Sequence, residues 1–117
     1  MPSFRGPIAG PYALASSQVV FNGTGSVGGN CSLNASCFNV QSVYKNAVGN
    51  YTINFQKSLS DNVYAVLGSF AGIGFFSTWV TLETAVTVQL FNSSGNAADI
   101  NYISVVTFGS NDLIRGM

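Results

Sequence analysis

Tyr51-Thr52-Ile53-Asn54-Phe55-Gln56 is the stretch that decides the fold class. Tyr51, Ile53 and Phe55 fall on one face and Thr52, Asn54 and Gln56 on the other, the period of two that marks a strand with one buried and one wetted side. After it, Ser60-Asp61-Asn62 turns the chain into Val63-Tyr64-Ala65-Val66-Leu67, which is apolar on both faces and therefore has to be covered twice. Before it, Tyr44 to Asn50 reads as a turn and Leu33 to Val43 as extended chain, preceded by Val19-Val20-Phe21 and a turn over Asn22-Gly23-Thr24-Gly25. Further on, Phe75 to Val80 continues past glycines at 68, 72 and 74. Ala85 to Phe91 and Ile100 to Phe108 are two long strands around Asn92-Ser93-Ser94-Gly95-Asn96, a cluster suited to a hairpin loop.

Short β-type runs parted by Gly, Asn and Ser, with no amphipathic helical stripe, predict an all-β chain: a compact antiparallel β-sandwich, jelly-roll-like, of roughly six to eight strands. All three prolines lie within residues 1–18, where no period is visible, so this segment reads as an extended N-terminal arm. The sandwich is expected over residues 19–111 and a short C-terminal tail over 112–117. At 117 residues the chain suits one domain.

Charge narrows the function. Four Lys+Arg and four Asp+Glu make 7% charged residues and a net charge of zero, against roughly 25% charged in an ordinary domain. Such a chain cannot neutralise phosphates as a nucleic-acid binder does. It has no histidine, the usual general base near neutral pH and the commonest metal ligand, so no enzyme activity, metal or cofactor is expected. Low charge also makes for a poorly protected monomer, which points to a subunit that hides surface in an assembly. Residues 1–18 lack the continuous apolar core of a signal peptide. Val63 to Leu82 is uncharged over about twenty residues, long enough to span a bilayer as a helix. Gly68, Ser69, Gly72, Gly74, Ser77, Thr78 and Thr81 dilute it, however, no basic cluster flanks it, and its β-branched and aromatic content suits strands. No membrane partner is expected.

Four further constellations have plain structural readings. Cys31 and Cys37 would stand roughly 20 Å apart on one extended strand, so a disulfide between them requires a hairpin; buried free thiols are the alternative. Asp61, Glu83, Asp99 and Asp112 could supply a glycosidase pair, yet Asp61 and Asp99 sit in or beside turns, where Asp is favoured. Sequons at Asn22, Asn30, Asn34, Asn50 and Asn92 follow from the abundance of Asn, Ser and Thr in turns. Trp79, Phe75 and Phe76 could stack on a glycan but read first as fillers of the core or of a trimer axis.

Three ordered blocks resemble a known family. They are Val20-Phe21-Asn22-Gly23-Thr24-Gly25 with Asn34-Ala35-Ser36 and Phe38-Asn39-Val40-Gln41-Ser42-Val43, then Gly49 to Phe55 with Leu59 to Gly68, then Val88 to Asp99 with Tyr102-Ile103-Ser104-Val105 and Phe108-Gly109. Together, over residues 19 to 109, they resemble a β-sandwich virion structural module of tailed bacteriophages, especially cyanophages, found at tail-fibre ends and as small free-standing virion proteins. Gly28 to Cys31 and Cys37 look like insertions relative to that pattern. The resemblance implies a homotrimer on the virion surface, made in the host cytoplasm, with no catalytic residue. The expectation is a capsid decoration or cement protein. Phe4, Arg5, Ile8, Tyr12 and Leu14 of the arm would grip the major capsid protein or another virion protein, and Tyr64, Val66, Phe75 and Phe76 would form the trimer contacts. The alternative is a tail-fibre tip or receptor-binding knob that contacts host surface glycans.

Overall fold

The structure, a computed structural model, describes residues 15–34 and 37–109. Its strands are β1 (Ser17–Asn22), β2 (Ser32–Leu33), β3 (Val40–Ala47), β4 (Asn50–Phe55), β5 (Ala65–Phe70), β6 (Gly74–Thr81), β7 (Ala85–Asn92) and β8 (Ile103–Phe108). They form two antiparallel four-stranded sheets, one ordered β2-β1-β8-β5 and the other β3-β4-β7-β6. There is no helix among the described residues, so the all-β expectation holds and the architecture is compatible with a sandwich. The uncharged run Val63 to Leu82 supplies two strands rather than one helix.

The core follows the alternation read from the sequence. Tyr51, Ile53 and Phe55 point inward from β4, and Val86, Val88 and Leu90 of β7 join them. Val19 and Phe21 of β1 face them with Ile103 and Val105 of β8. Phe21 meets Tyr51 edge to face at 5.2 Å between ring centroids, the geometry that the ring quadrupoles favour. The partly wet face of β4 has polar company: Thr52 lies 3.2 Å from Thr87, and Asn54 donates to Ser42.

Three features differ from the sequence reading. Ser17 and Gln18, assigned to the arm, belong to β1. Ser16 and Ser17 are buried with their hydroxyls 2.7 and 2.6 Å from the Thr107 hydroxyl, a polar partnership that hydrophobic periodicity does not register. Tyr44 to Ala47, assigned to a turn, continue β3, and the turn is the two-residue Val48-Gly49. The third difference is topological. β7 and β8 are not a hairpin, since they lie in different sheets. The turn at Asn92 does form, with the Asn92 side chain accepting from the Ser94 and Asn96 amides. The returning chain stays with β7 only through Ala98, whose amide donates to the Leu90 carbonyl, and then crosses.

Gly49 makes the β3–β4 turn possible. Its φ is +68°, a conformation that costs a residue with a Cβ about 1–2 kcal/mol, and an added Cβ would lie 2.6 Å from the Leu90 carbonyl oxygen and 2.8 Å from the Ala98 amide. Gly49→Ala is therefore expected to destabilise the fold by more than about 2 kcal/mol, read from the denaturant midpoint. An unchanged midpoint would contradict the packing described.

Candidate interaction surface

Two features stand outside ordinary core packing: a buried polar clasp at one end and an apolar strip along one side. The clasp is built on Lys45, whose position on β3 shares the inward parity of Val43. Its side chain is 2% exposed, and its Nζ donates to Asp99 Oδ2 and to the Gly25 carbonyl, each at 2.6 Å. Asp99 Oδ1 in turn accepts from the Gly49 amide at 3.0 Å and lies 3.3 Å from the Tyr51 hydroxyl, which donates to the Gly23 carbonyl at 2.8 Å. One carboxylate thus ties the loop after β1, the β3–β4 turn and the crossing from β7 to β8. Charge is tolerated here because every partner is in place; a buried ammonium without one would be prohibitive.

The clasp shapes the ionisation of its members. Burial would raise the Asp99 carboxyl, but hydrogen bonds from Lys45 and Gly49, the Lys45 charge and the Tyr51 hydroxyl outweigh it and hold Asp99 below the ordinary 3.8. Burial first, then the neighbouring Asp99 charge, pushes the Tyr51 hydroxyl well above its usual range. Cys31 beside them is also raised, by burial, with Lys45 opposing and Asp99 reinforcing. These directions describe a group that holds its proton or charge firmly.

The strip lies on the opposite long edge from β3. β5 and β6 are the outermost strands of their sheets and are joined by residues 71–73. Phe76 turns inward and its ring sits against Gly68, where a Cβ would be 2.2 Å away. Tyr64 also faces its own core, 6.1 Å from Phe55 between centroids, with its hydroxyl donating to the Leu82 carbonyl at 2.7 Å; burial pushes that hydroxyl up to about 12. Val66 likewise packs on the core. Of the four residues expected at a trimer contact, Phe75 alone presents its ring to solvent, at 58% exposure. Ile73 at 86%, Val63 at 81%, Trp79 at 62% and Leu67 at 60% are also exposed along β5, β6 and the residues that flank them. Trp79 is the extra residue of a bulge, for Thr78 pairs with Val88 and Val80 with Thr87, so it has no ladder partner to align it. Phe75 and Trp79 thus do not fill the core of their own chain.

The remaining predicted residues have simple places. Cys31 and Cys37 are unbridged; Cys31 packs in the core and the Cys37 thiol points at the Val40 carbonyl at 3.5 Å. Asp61 caps its own turn by accepting from the Val63 amide, and Asp99 is engaged in the clasp. Asn22 and Asn92 spend their side-chain oxygens on turn amides, and Asn50 is buried. Among the described residues no three His, Cys, Asp or Glu side chains gather in a metal-like cluster. Phe4, Arg5, Ile8, Tyr12, Leu14 and Asp112 lie outside the described residues. Comparison with family models, with curated proteins and with solved structures finds no match to this chain.

Asp99→Asn removes the ionic half of the clasp while keeping its shape; because the Asp99 side chain is 29% exposed, the expected loss of stability at neutral pH is about 1–2 kcal/mol. A carboxyl held below its unfolded value contributes fully above that value and loses its contribution as pH falls through the folded one. Wild-type protein should therefore lose stability on acidification below about pH 4, and Asp99→Asn should lack that increment. Equal acid limbs in urea titrations of the two would overturn the assignment.

Proposed function

We propose that the chain is a virion structural protein of a tailed bacteriophage: a homotrimeric capsid decoration or cement protein that stabilises the particle and performs no catalysis. The observation that supports this reading is the apolar strip from Val63 to Leu82, bracketed by Asp61 and Glu83 and free of charge between them. Surface of that kind is seldom left in water by a monomer and marks an interaction site. The resemblance of residues 19 to 109 supplies the setting, and the two sheets with crossings at β2–β3, β4–β5, β5–β6 and β7–β8 fit a jelly-roll-like sandwich.

The mechanism is mechanical. Copies associate by removing apolar side chains from water, at about 25 cal/mol per Å². Each carries an N-terminal arm in which Phe4, Arg5, Ile8, Tyr12 and Leu14 contact the major capsid protein, and three weak contacts linked through one trimer hold far more firmly than one. The exposure of Phe75 and Trp79 favours a second reading, a tail-fibre tip whose aromatic side chains stack on host surface sugars.

Copy number in purified particles separates the two: a number matching the capsid lattice is expected, whereas a number matching the tail appendages would establish the second reading. Deletion of residues 2–15 is expected to leave an assembled sandwich that no longer binds particles. Retained binding by that truncation would overturn arm anchoring.

A further inference from the structure

We infer that the β5–β6 side is covered by further copies of this same chain, arranged about an axis parallel to the strands so that β6 of one copy lies alongside β5 of the next. The inference rests on the assembly reading above and names its surface.

The two long sides of the sandwich are treated differently. On the β2–β3 side, the Gly28 amide donates to the Lys45 carbonyl, the Lys45 amide to Gly29 and the Cys31 amide to Val43, at 2.7–2.9 Å. β3 is also interrupted by two register shifts and carries an inward lysine, devices that keep an edge from pairing with another chain. On the β5–β6 side there is no backbone hydrogen bond between the two strands among the described residues. From Asn62 to Leu82 this side has no charged residue and no proline, and its one bulge exposes Trp79 instead of hiding it. A sandwich that closes one side and leaves the other as bare, apolar edges has that side reserved for pairing.

Size, charge and direction identify the occupant. Val63, Leu67, Ile73, Phe75, Trp79 and Leu82 are 48–86% exposed. At 150–250 Å² for a large side chain they offer roughly 750 Å² of apolar surface, close to what each partner gives a stable interface. An uncharged patch on a chain of zero net charge meets no repulsion from its own copy. β5 and β6 run antiparallel to each other, because residues 71–73 turn one directly into the other and Thr81 donates to the Asn62 carbonyl at the far end. Rotation about an axis parallel to the strands keeps each strand's direction. β6 of one copy therefore meets β5 of the next in the antiparallel sense, and every open edge is used, which is the requirement for a closed ring.

The same rotation keeps height along the axis. Gly68 is level with Phe76 inside one chain, so Leu67 of one copy stands level with Ser77 of its neighbour.

Two measurements test this. In a Cys37→Ser background, Leu67→Cys and Ser77→Cys chains are assembled together and oxidised. A disulfide between the two kinds of chain is expected, and none from either variant alone. Separately, Leu67→Lys and Trp79→Lys, placed on exposed positions, are expected to keep the circular dichroism of the parent while the sedimentation mass falls from that of the trimer to that of one chain. A trimer that survives both lysines and gives no mixed disulfide overturns this surface and leaves the assembly reading standing. A parent chain that sediments as a monomer at tens of micromolar overturns both. A dimer that still forms the mixed disulfide keeps the surface and overturns the three-fold arrangement.

Discussion

The ion pair of Lys45 with Asp99 is the constraint on which the arrangement of sheets turns. A hairpin joining β7 to β8 would have placed them side by side in one sheet, and the turn at Asn92 to Asn96 has the right chemistry for it. What diverts the chain is Asp99, drawn to the Lys45 ammonium, the Gly49 amide and the Tyr51 hydroxyl at the mouth of the other sheet's β3–β4 hairpin. From there Ile100 receives the Gly23 amide, and β8 is delivered beside β1. The only buried cation among the described residues therefore does topological work. In a chain with eight formal charges, one pair is spent on connectivity rather than on solubility.

Once β8 lies between β1 and β5, the rest of the asymmetry follows. β2 continues from a segment stitched to β3, closing one flank. β5 and β6 are left at the other flank, held apart by the Phe76 ring against Gly68 rather than joined by hydrogen bonds. Side-chain packing, with the Thr81 hydroxyl on the Asn62 carbonyl at one end, keeps these two strands together within a chain in place of backbone hydrogen bonds. On the proposed association the scarcity of charge on β5 and β6 would have a physical reason, because a lysine or glutamate there would be removed from water.

The sequence was readable wherever one face was dry and the other wet. Tyr51 to Phe55 alternates because β4 is central, whereas Val63 to Leu67 reads as apolar on both sides and in the chain leaves Val63 and Leu67 exposed. Legibility failed where polar groups do core work. Ser16, Ser17 and Thr107 are buried through their own hydroxyl contacts, and no hydropathy pattern marks such a start of a strand. Lys45 in the run after Val43 looked like a turn residue for the same reason; its parity with Val43, in a chain so poor in charge, was the available signal. Phe75 and Phe76 are adjacent and chemically identical, and only the pleat decides that one enters the core and the other leaves it. The apolar strip was visible as composition, but its position on two open edges required the order of strands.

The pairing of Ser17 with Thr107 gives the molecule a polarity along its length. The described chain enters β1 and leaves β8 at the same pole, while the clasp, the turn after β5 and the loop after β7 gather at the opposite one. The turns and loops at that pole are thus set apart, by the full length of the strands, from the pole where the described chain begins and ends.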